Sequence, residues 1–190
     1  MDCYIDVRIR PDPEVPASQV LNAVFTRLHR TLVQLDSNDI GVSFPEVDKL
    51  DSKPHPLGTL LRLHGRLPSL ARLSQQPWLT SLRDHISITD PLPVPAEVQH
   101  RSVRRVQAKS SPERLRRRLI KRHHLEEATA AERIPDSAAE MLRLPYLQLS
   151  SGSTQQHFRL FVQHGPLQPT SAAGTFNTYG FSQTATVPWF

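Results

Sequence analysis

YIDVRIRPDPEVPASQVLNAVFTRLHRTLVQL, residues 4–35, decides how the chain is read. From Tyr4 to Arg10 apolar and polar residues alternate, with Ile5, Val7 and Ile9 on one side, which is the pattern of a half-buried strand. Pro11, Pro13 and Pro16 interrupt the backbone. From Ala17 to Leu35 the period changes. Val20, Leu21, Val24, Phe25, Leu28, Leu32 and Leu35 recur at helical spacing and form one apolar stripe.

Reading outward, Ile40 to Phe44 is a strand ended by Pro45, and a polar, proline-containing loop leads to a strand over Thr59 to Leu63. Leu67 to Ile86 has helical spacing with an interruption or new start at Pro77. Ile86 to Thr89 is short and strand-like. The order strand, helix, strand, strand, helix, strand is that of a ferredoxin-like (RRM-like) domain. The stiff stretch Asp90 to Pro95 is the expected boundary, dividing the chain into residues 1–95 and 96–190. The second part is expected to hold a strand over Val103 to Ala108 and a basic helix from Pro112 to about Leu125. An Ala/Glu-rich helix from about Glu126 to Leu144 follows, open to a break at Pro135. Strands over Tyr146 to Leu149 and His157 to Val162 are joined by a Ser/Gly-rich turn, and the apolar end Pro188-Trp189-Phe190 tucks into the body. The fold class is α+β.

Composition narrows the function. With 190 residues and 38% apolar content the chain can pack one or two small cores. No apolar stretch approaches the ~18 residues of a membrane span. The opening MDCYIDVRIR shows no basic segment followed by an apolar core, so no secretory signal is read. The one cysteine, Cys3, excludes an internal disulfide, and together these point to the cytoplasm. No HxxxH or Cys/His spacing occurs among the nine histidines, so neither a metal site nor another cofactor is expected.

Charge is unevenly placed. Between Arg101 and His124 lie ten Lys/Arg and one acid, Glu113, of the chain's 23 basic and 18 acidic residues; the remainder, 13 basic and 17 acidic, is net negative. A local cationic surface on an otherwise acidic protein suits a polyanion that docks in one place. Ser111 is a good N-cap and Pro112 fits the first helical position. At 100° per residue Arg114, Arg117, Arg118 and Lys121 share a narrow sector, with Arg122 at its edge and Leu115, Leu119 and Ile120 beside and behind it. Like charges at these spacings repel by about 0.2–0.5 kcal/mol per pair unless an anion compensates. RNA fits better than DNA. The deep, narrow A-form groove excludes most protein elements, but the open end of a short hairpin can admit a thin arginine-rich helix. Arg105 and Gln107, one residue apart, would share one side of a strand, and their side chains suit guanine and adenine edges.

Several stretches then carry a specific resemblance. IGVSFP (Ile40 to Pro45), RVQAKSSPERLRRRL (Arg105 to Leu119), QHFRLFVQHGPLQ (Gln156 to Gln168), TYGFS (Thr178 to Ser182) and VPWF (Val187 to Phe190), with the opening MDCYIDVRIRPDPE, resemble the type I-F CRISPR repeat-processing endoribonuclease family, the subunit at the RNA end of the Csy complex. The likeness runs essentially end to end. It implies a ferredoxin-like first domain and a second part bearing the arginine-rich helix. It also implies binding of the CRISPR repeat hairpin and metal-independent cleavage at the 3′ base of the stem. The 2′-hydroxyl attacks the adjacent phosphate and leaves a cyclic phosphate. The protein, a monomer when free, then stays on the crRNA with the other subunits of a surveillance complex that targets foreign DNA.

The resemblance also assigns roles. His29, late in the first helix, falls at the catalytic histidine, Ser151 at the catalytic serine, and Tyr179 at the tyrosine that orients the histidine. Phe158 falls at the aromatic stacked under the last base pair. Arg105 and Gln107 fall at the pair reading the stem's foot. Arg117, Arg118, Lys121 and Arg122 fall on the helix that meets groove and phosphates. Read from the residues themselves, Arg114 shares that sector, His123 and His124 extend the basic helix as auxiliary RNA contacts, and Ser153 and Thr154 of the turn are further RNA-binding candidates. Two positions depart from the family pattern. Lys121 stands where an arginine is expected, which turns a bidentate contact into a point charge, and Gly152 replaces a bulkier polar residue in the serine loop.

In such a reaction His29 serves as general base, a task suited to a group that titrates near neutrality. Ser151 holds the ribose in a near-attack position, and no general acid for the leaving 5′-oxygen is evident. On its own His29 reads as a structural or surface histidine, Ser151 as a turn residue and Phe158 as a core residue. A subunit that binds the hairpin without cutting remains the main alternative, and a DNA-binding basic helix a third.

Overall fold

The computed structural model describes residues 1–49, 57–107, 112–135, 144–150 and 156–190. It is a mixed α/β protein with antiparallel sheets. Strand β1 (Cys3–Ile9) leads into helix α1 (Ala17–Gln34), β2 (Gly41–Ser43), β3 (Leu60–Gly65), helix α2 (Leu67–Ser74) and β4 (Ile86–Ile88). The strand order is β2-β3-β1-β4, with antiparallel pairing throughout. The alternation in β1 decides which way its side chains point: Ile5, Val7 and Ile9 are buried on the helix side with Leu61, Leu63, Val42 and Ile86. On α1 the residues Val20, Leu21, Val24, Phe25, Leu28 and Leu32 are the buried stripe. The helix stops at a Schellman-type cap, with Asp36 at φ 47° and Ser37 N–H donating to Leu32 O at 3.0 Å.

The opposite face of the sheet is covered as well, by the end of the chain. Strand β10 (Val187–Trp189) pairs antiparallel with β6 (Gln99–Arg101). Gly41 must be glycine because a Cβ there would lie 2.6 Å from Val187 Cγ1 and 2.8 Å from the Phe176 ring. Arg62, half-way along β3, donates two hydrogen bonds to the Asp6 carboxylate (2.7 and 2.9 Å) and one to Phe190 O (2.9 Å). Its guanidinium also lies over the rings of Tyr4 and Phe190, which pack edge to face, 4.5 and 4.0 Å from their centroids. A buried arginine is tolerable only when paired and bonded in this way.

The interruption expected at Pro77 is present: α2 ends at Ser74, and Thr80–His85 is a 3₁₀ turn, because Pro77 cannot continue the hydrogen-bond ladder. Other expectations need correction. The stretch taken as a stiff connector, Asp90 to Pro95, contains β5 (Leu92–Pro93), which pairs with Cys3 and Tyr4 of β1; proline is accepted there because the pairing is short and at an edge. β7 spans Val103–Val106 and stops short of Gln107. The Ala/Glu-rich helix is described as α4 (Glu127–Arg133), after α3 (Pro112–His123), and ends before Pro135; residues 136–143 of the expected stretch lie outside the described residues. The hairpin β8 (Tyr146–Ser150) and β9 (His157–His164) follows the expected strands closely, and β7 joins it in a sheet ordered β7-β9-β8.

The chain forms two compact units. One comprises residues 1–105 with 144–190, the other residues 106–143. This partition differs from a split at residue 95, because α1 packs on β8 and the terminal strands close over the first sheet. In the smaller unit α3 packs on α4, with Arg116 Nε donating to Ile134 O at 2.7 Å. α3 ends where His124 takes φ 49°.

Two histidines, the buried His64 and the half-buried His164, are pushed toward the neutral form by their surroundings. His64 is fully buried, bonded to Ser43 Oγ at 2.8 Å, and burial, aided by the Arg62 charge, lowers its pKa to about 3. Burial, with the Arg101 charge, lowers that of His164 to about 4. Both groups titrate near 6.5 when unfolded. Their contribution to stability is therefore complete above pH 6.5 and is lost as pH falls toward the folded values. The expected slope is about 1.4 kcal/mol per pH unit for each histidine. Urea denaturation at pH 7.5 and 5.5 should show a lower midpoint at 5.5. Equal midpoints would mean the rings are not held neutral.

Candidate active site

His29 lies in the last third of α1, half-buried, between the buried Leu28 and the exposed Arg30. Its ring meets a turn 149 residues further along the chain, where His29 Nδ1 is 2.9 Å from Thr178 O. A carbonyl only accepts, so this bond puts the proton on Nδ1. A neutral ring then keeps an unprotonated Nε2, which is the form a general base needs. The Tyr179 ring lies flat on the imidazole, with centroids 3.9 Å apart and planes 6° from parallel. Behind Tyr179 the stack continues to Phe25, at 6.3 Å and 10°, and Phe25 in turn packs on Phe44 and Phe181. The imidazole is thus fixed in both position and plane.

Arg105, at the end of β7, belongs to the same constellation. Its guanidinium carbon is 5.6 Å from the Tyr179 centroid and 5.7 Å from that of Phe158, at the outer range of cation–π contact. Its buried Nε has no hydrogen-bond partner among the described residues, whereas Arg104 is committed to Gln163 Oε1 at 3.0 Å. Phe158 is half-buried opposite Leu149 in the β8–β9 hairpin. His29, Tyr179, Arg105 and Phe158 are therefore connected by direct ring and cation contacts.

Ser151, Ser153 and Thr154 lie outside the described residues. The strands on either side are described. Ser150 pairs with His157, with Ser150 Oγ bonded to His157 Nδ1 at 2.9 Å. The hairpin is tied to α1 by Gln148 N–H donating to Asn22 Oδ1 at 3.0 Å. In the smaller unit Arg117, Arg118, Lys121, Arg122 and His123 are all exposed on α3, while Leu115, Leu119 and Ile120 are half-buried. Gln107 is exposed just past β7. The side chain of Arg114 is outside the described residues. Among the described residues no group of three or more His, Cys, Asp or Glu could hold a metal ion, and no helix is long and apolar enough to cross a membrane.

The family model described as CRISPR-associated protein (Cas_Csy4) matches residues 4–190. The chain belongs to the Cas_Csy4 family. A relative from Pseudomonas aeruginosa (strain UCBPP-PA14), named CRISPR-associated endonuclease Cas6/Csy4, is 50% identical over 190 residues, covering 100% of both chains. One of the same name from Escherichia coli (strain UTI89 / UPEC) is 42% identical over 190 residues, again with 100% of each covered. The family match takes in both compact units, the cationic α3 as well as the His29 constellation.

Two participants in this constellation could not be singled out from residue types. Thr178 contributes a backbone carbonyl, which no side-chain reading detects. Phe25 reads as one more apolar residue on the α1 stripe, and only its stack on Tyr179 links it to the imidazole. Truncating it removes a fully buried ring, so Phe25→Ala should cost about 3–5 kcal/mol in urea denaturation. A second substitution probes the turn itself. Gly180 has φ 73°, and a Cβ there would lie 2.3 Å from Val42 Cγ2. Gly180→Ala should destabilise the protein by about 1–3 kcal/mol through left-handed strain alone, with the clash adding to it. A thermal melt unchanged from wild type would show that the turn does not need this geometry.

Proposed function

We propose that the protein is an endoribonuclease that binds the hairpin of a CRISPR repeat and cuts at the 3′ base of its stem. The observation that carries this reading is the His29 imidazole, bonded at Nδ1 and stacked on Tyr179, which leaves Nε2 to take a proton. The names of the relatives, both CRISPR-associated endonucleases, support it. So does the β-α-β-β-α-β run with strand order β2-β3-β1-β4, which fits a ferredoxin-like domain.

In this mechanism His29 removes the proton from the ribose 2′-hydroxyl next to the scissile phosphate. The oxygen attacks phosphorus, the bond to the 5′-oxygen breaks, and a 2′,3′-cyclic phosphate remains. Ser151 holds the ribose so that attack is in line, and Tyr179 keeps the imidazole in plane. Phe158 offers a flat apolar surface beneath the terminal base pair. Arg105, with an unsatisfied buried Nε, reads the foot of the stem together with Gln107. Along α3, Arg114, Arg117, Arg118, Lys121, Arg122 and His123 neutralise the phosphates, with Ser153 and Thr154 adding contacts from the turn. Residues 1–95 supply the base and residues 96–190 most of the RNA contacts. The protein is a monomer when free and works in the cytoplasm. It keeps the cleaved crRNA and enters the type I-F surveillance complex with it, so a slow, single-turnover reaction suffices.

His29→Ala should lower single-turnover cleavage of the repeat hairpin by about 10²- to 10⁴-fold, the range for a lost general base, while hairpin affinity at fixed salt stays near that of wild type. Cleavage by the variant at the wild-type rate would reject the base assignment. If wild type binds the hairpin and never cuts it, the protein is a non-cleaving subunit. EDTA should leave the rate unchanged. Strong inhibition reversed by magnesium would reject the metal-independent route.

A further inference from the structure

The bond from His29 to Thr178 O depends on the direction of one peptide carbonyl, and that direction is set by the residue before it. Asn177 Oδ1 accepts hydrogen bonds from the backbone N–H of Tyr179 (2.9 Å) and of Phe181 (3.2 Å). Its own carbonyl accepts from Gly180 N–H at 2.8 Å, and its own N–H donates to Phe181 O at 2.9 Å. Four bonds from one residue thus close the turn around the Thr178 peptide. The turn is then pinned just before β2 and within it, by Phe176 N–H donating to Asn38 O and Val42 N–H donating to Gly180 O, each at 2.9 Å. Asn177 is itself exposed, so burial does not account for these bonds.

We infer that Asn177 is a positioning residue for the His29 base: by closing the 177–181 turn it aims the Thr178 carbonyl at Nδ1 and so selects the ring tautomer with a free Nε2. The inference rests on the proposed role of His29. Its physical content is tautomer choice. Free imidazole favours the proton on Nε2, the nitrogen that must be bare in a base whose Nδ1 is occupied. Only the hydrogen bond made by the other nitrogen reverses this preference. A side-chain amide oxygen suits the task because it can accept two N–H groups at once, and because Asn readily closes turns on its own backbone. Tyr179 is held by the same device. Its N–H is one of the two bonded to Oδ1, so the ring that stacks on His29 and the carbonyl that bonds it move together.

The test uses the full chain. ¹⁵N resonances of the histidine side chains report the His29 tautomer without RNA. Single-turnover cleavage of the repeat hairpin reports the rate, and binding of the same hairpin with a 2′-deoxy nucleotide at the cleavage site reports affinity. Wild type should show the Nδ1–H tautomer. Asn177→Ala should lose it, cleave about 10- to 100-fold more slowly, as expected for a misplaced catalytic group, and bind the deoxy hairpin as wild type does. Asn177→Asp, whose carboxylate can accept both N–H bonds, should restore the tautomer and recover most of the lost rate. Should Asn177→Ala not fold, Asn177→Leu, of similar size and without the acceptor, is read in the same way. An Asn177→Ala protein with the wild-type tautomer, or with the wild-type rate, overturns the inference. If wild type does not cut the hairpin, the proposed activity fails instead, and the tautomer measurement still decides what Asn177 does.

Discussion

The site depends on a left-handed glycine beside an edge strand. At Gly180 the backbone passes so close to Val42 that no side chain fits, and its carbonyl takes the Val42 N–H. That contact brings the 177–181 turn against the end of α1, where Thr178 and Tyr179 meet His29. Nothing local to α1 would hold an imidazole in one plane with one nitrogen engaged. The constraint comes from a segment 149 residues away, and the hydrophobic stack Tyr179, Phe25, Phe44 and Phe181 makes it rigid.

The same tail segment has a second task. A five-stranded sheet with helices on one face leaves the other face to be covered. Here the chain's last residues cover it, through β10, the Gly41 contact and the Arg62 clamp on Asp6, Tyr4 and Phe190. Polar residues on that face, His64 and Ser43 among them, are consequently buried and bonded to one another. The residues that seal the sheet and those that orient His29 lie on one continuous stretch, residues 176–190.

Charge is distributed between the two compact units according to what each must do. In the larger unit several arginines are paired with acids: Arg62 with Asp6, Arg8 with Glu46 and Arg101 with Asp48. The smaller unit leaves Arg117, Arg118, Lys121 and Arg122 exposed along α3. A helix face of one sign is unfavourable by itself, and it is tolerated where a polyanion supplies the missing charge.

Much of this was legible in the sequence. Period-2 alternation located β1, the 3.6-residue period located α1, and the run from Arg114 to Arg122 announced a cationic helix, because each pattern is a local consequence of backbone geometry. The resemblance singled out His29, Tyr179, Phe158 and Arg105, which the fold then brought into contact. Short strands escaped: β5 and β10 each contain a proline that argues against a strand, and β6 has three residues, so only pairing with a distant partner defines them. The Thr178 carbonyl and the Asn177 turn escaped for a deeper reason. Residue types determined which groups can titrate, stack or carry charge, but a hydrogen bond to a backbone oxygen depends on where the chain returns. That was decided only when Gly180 closed against Val42 in three dimensions.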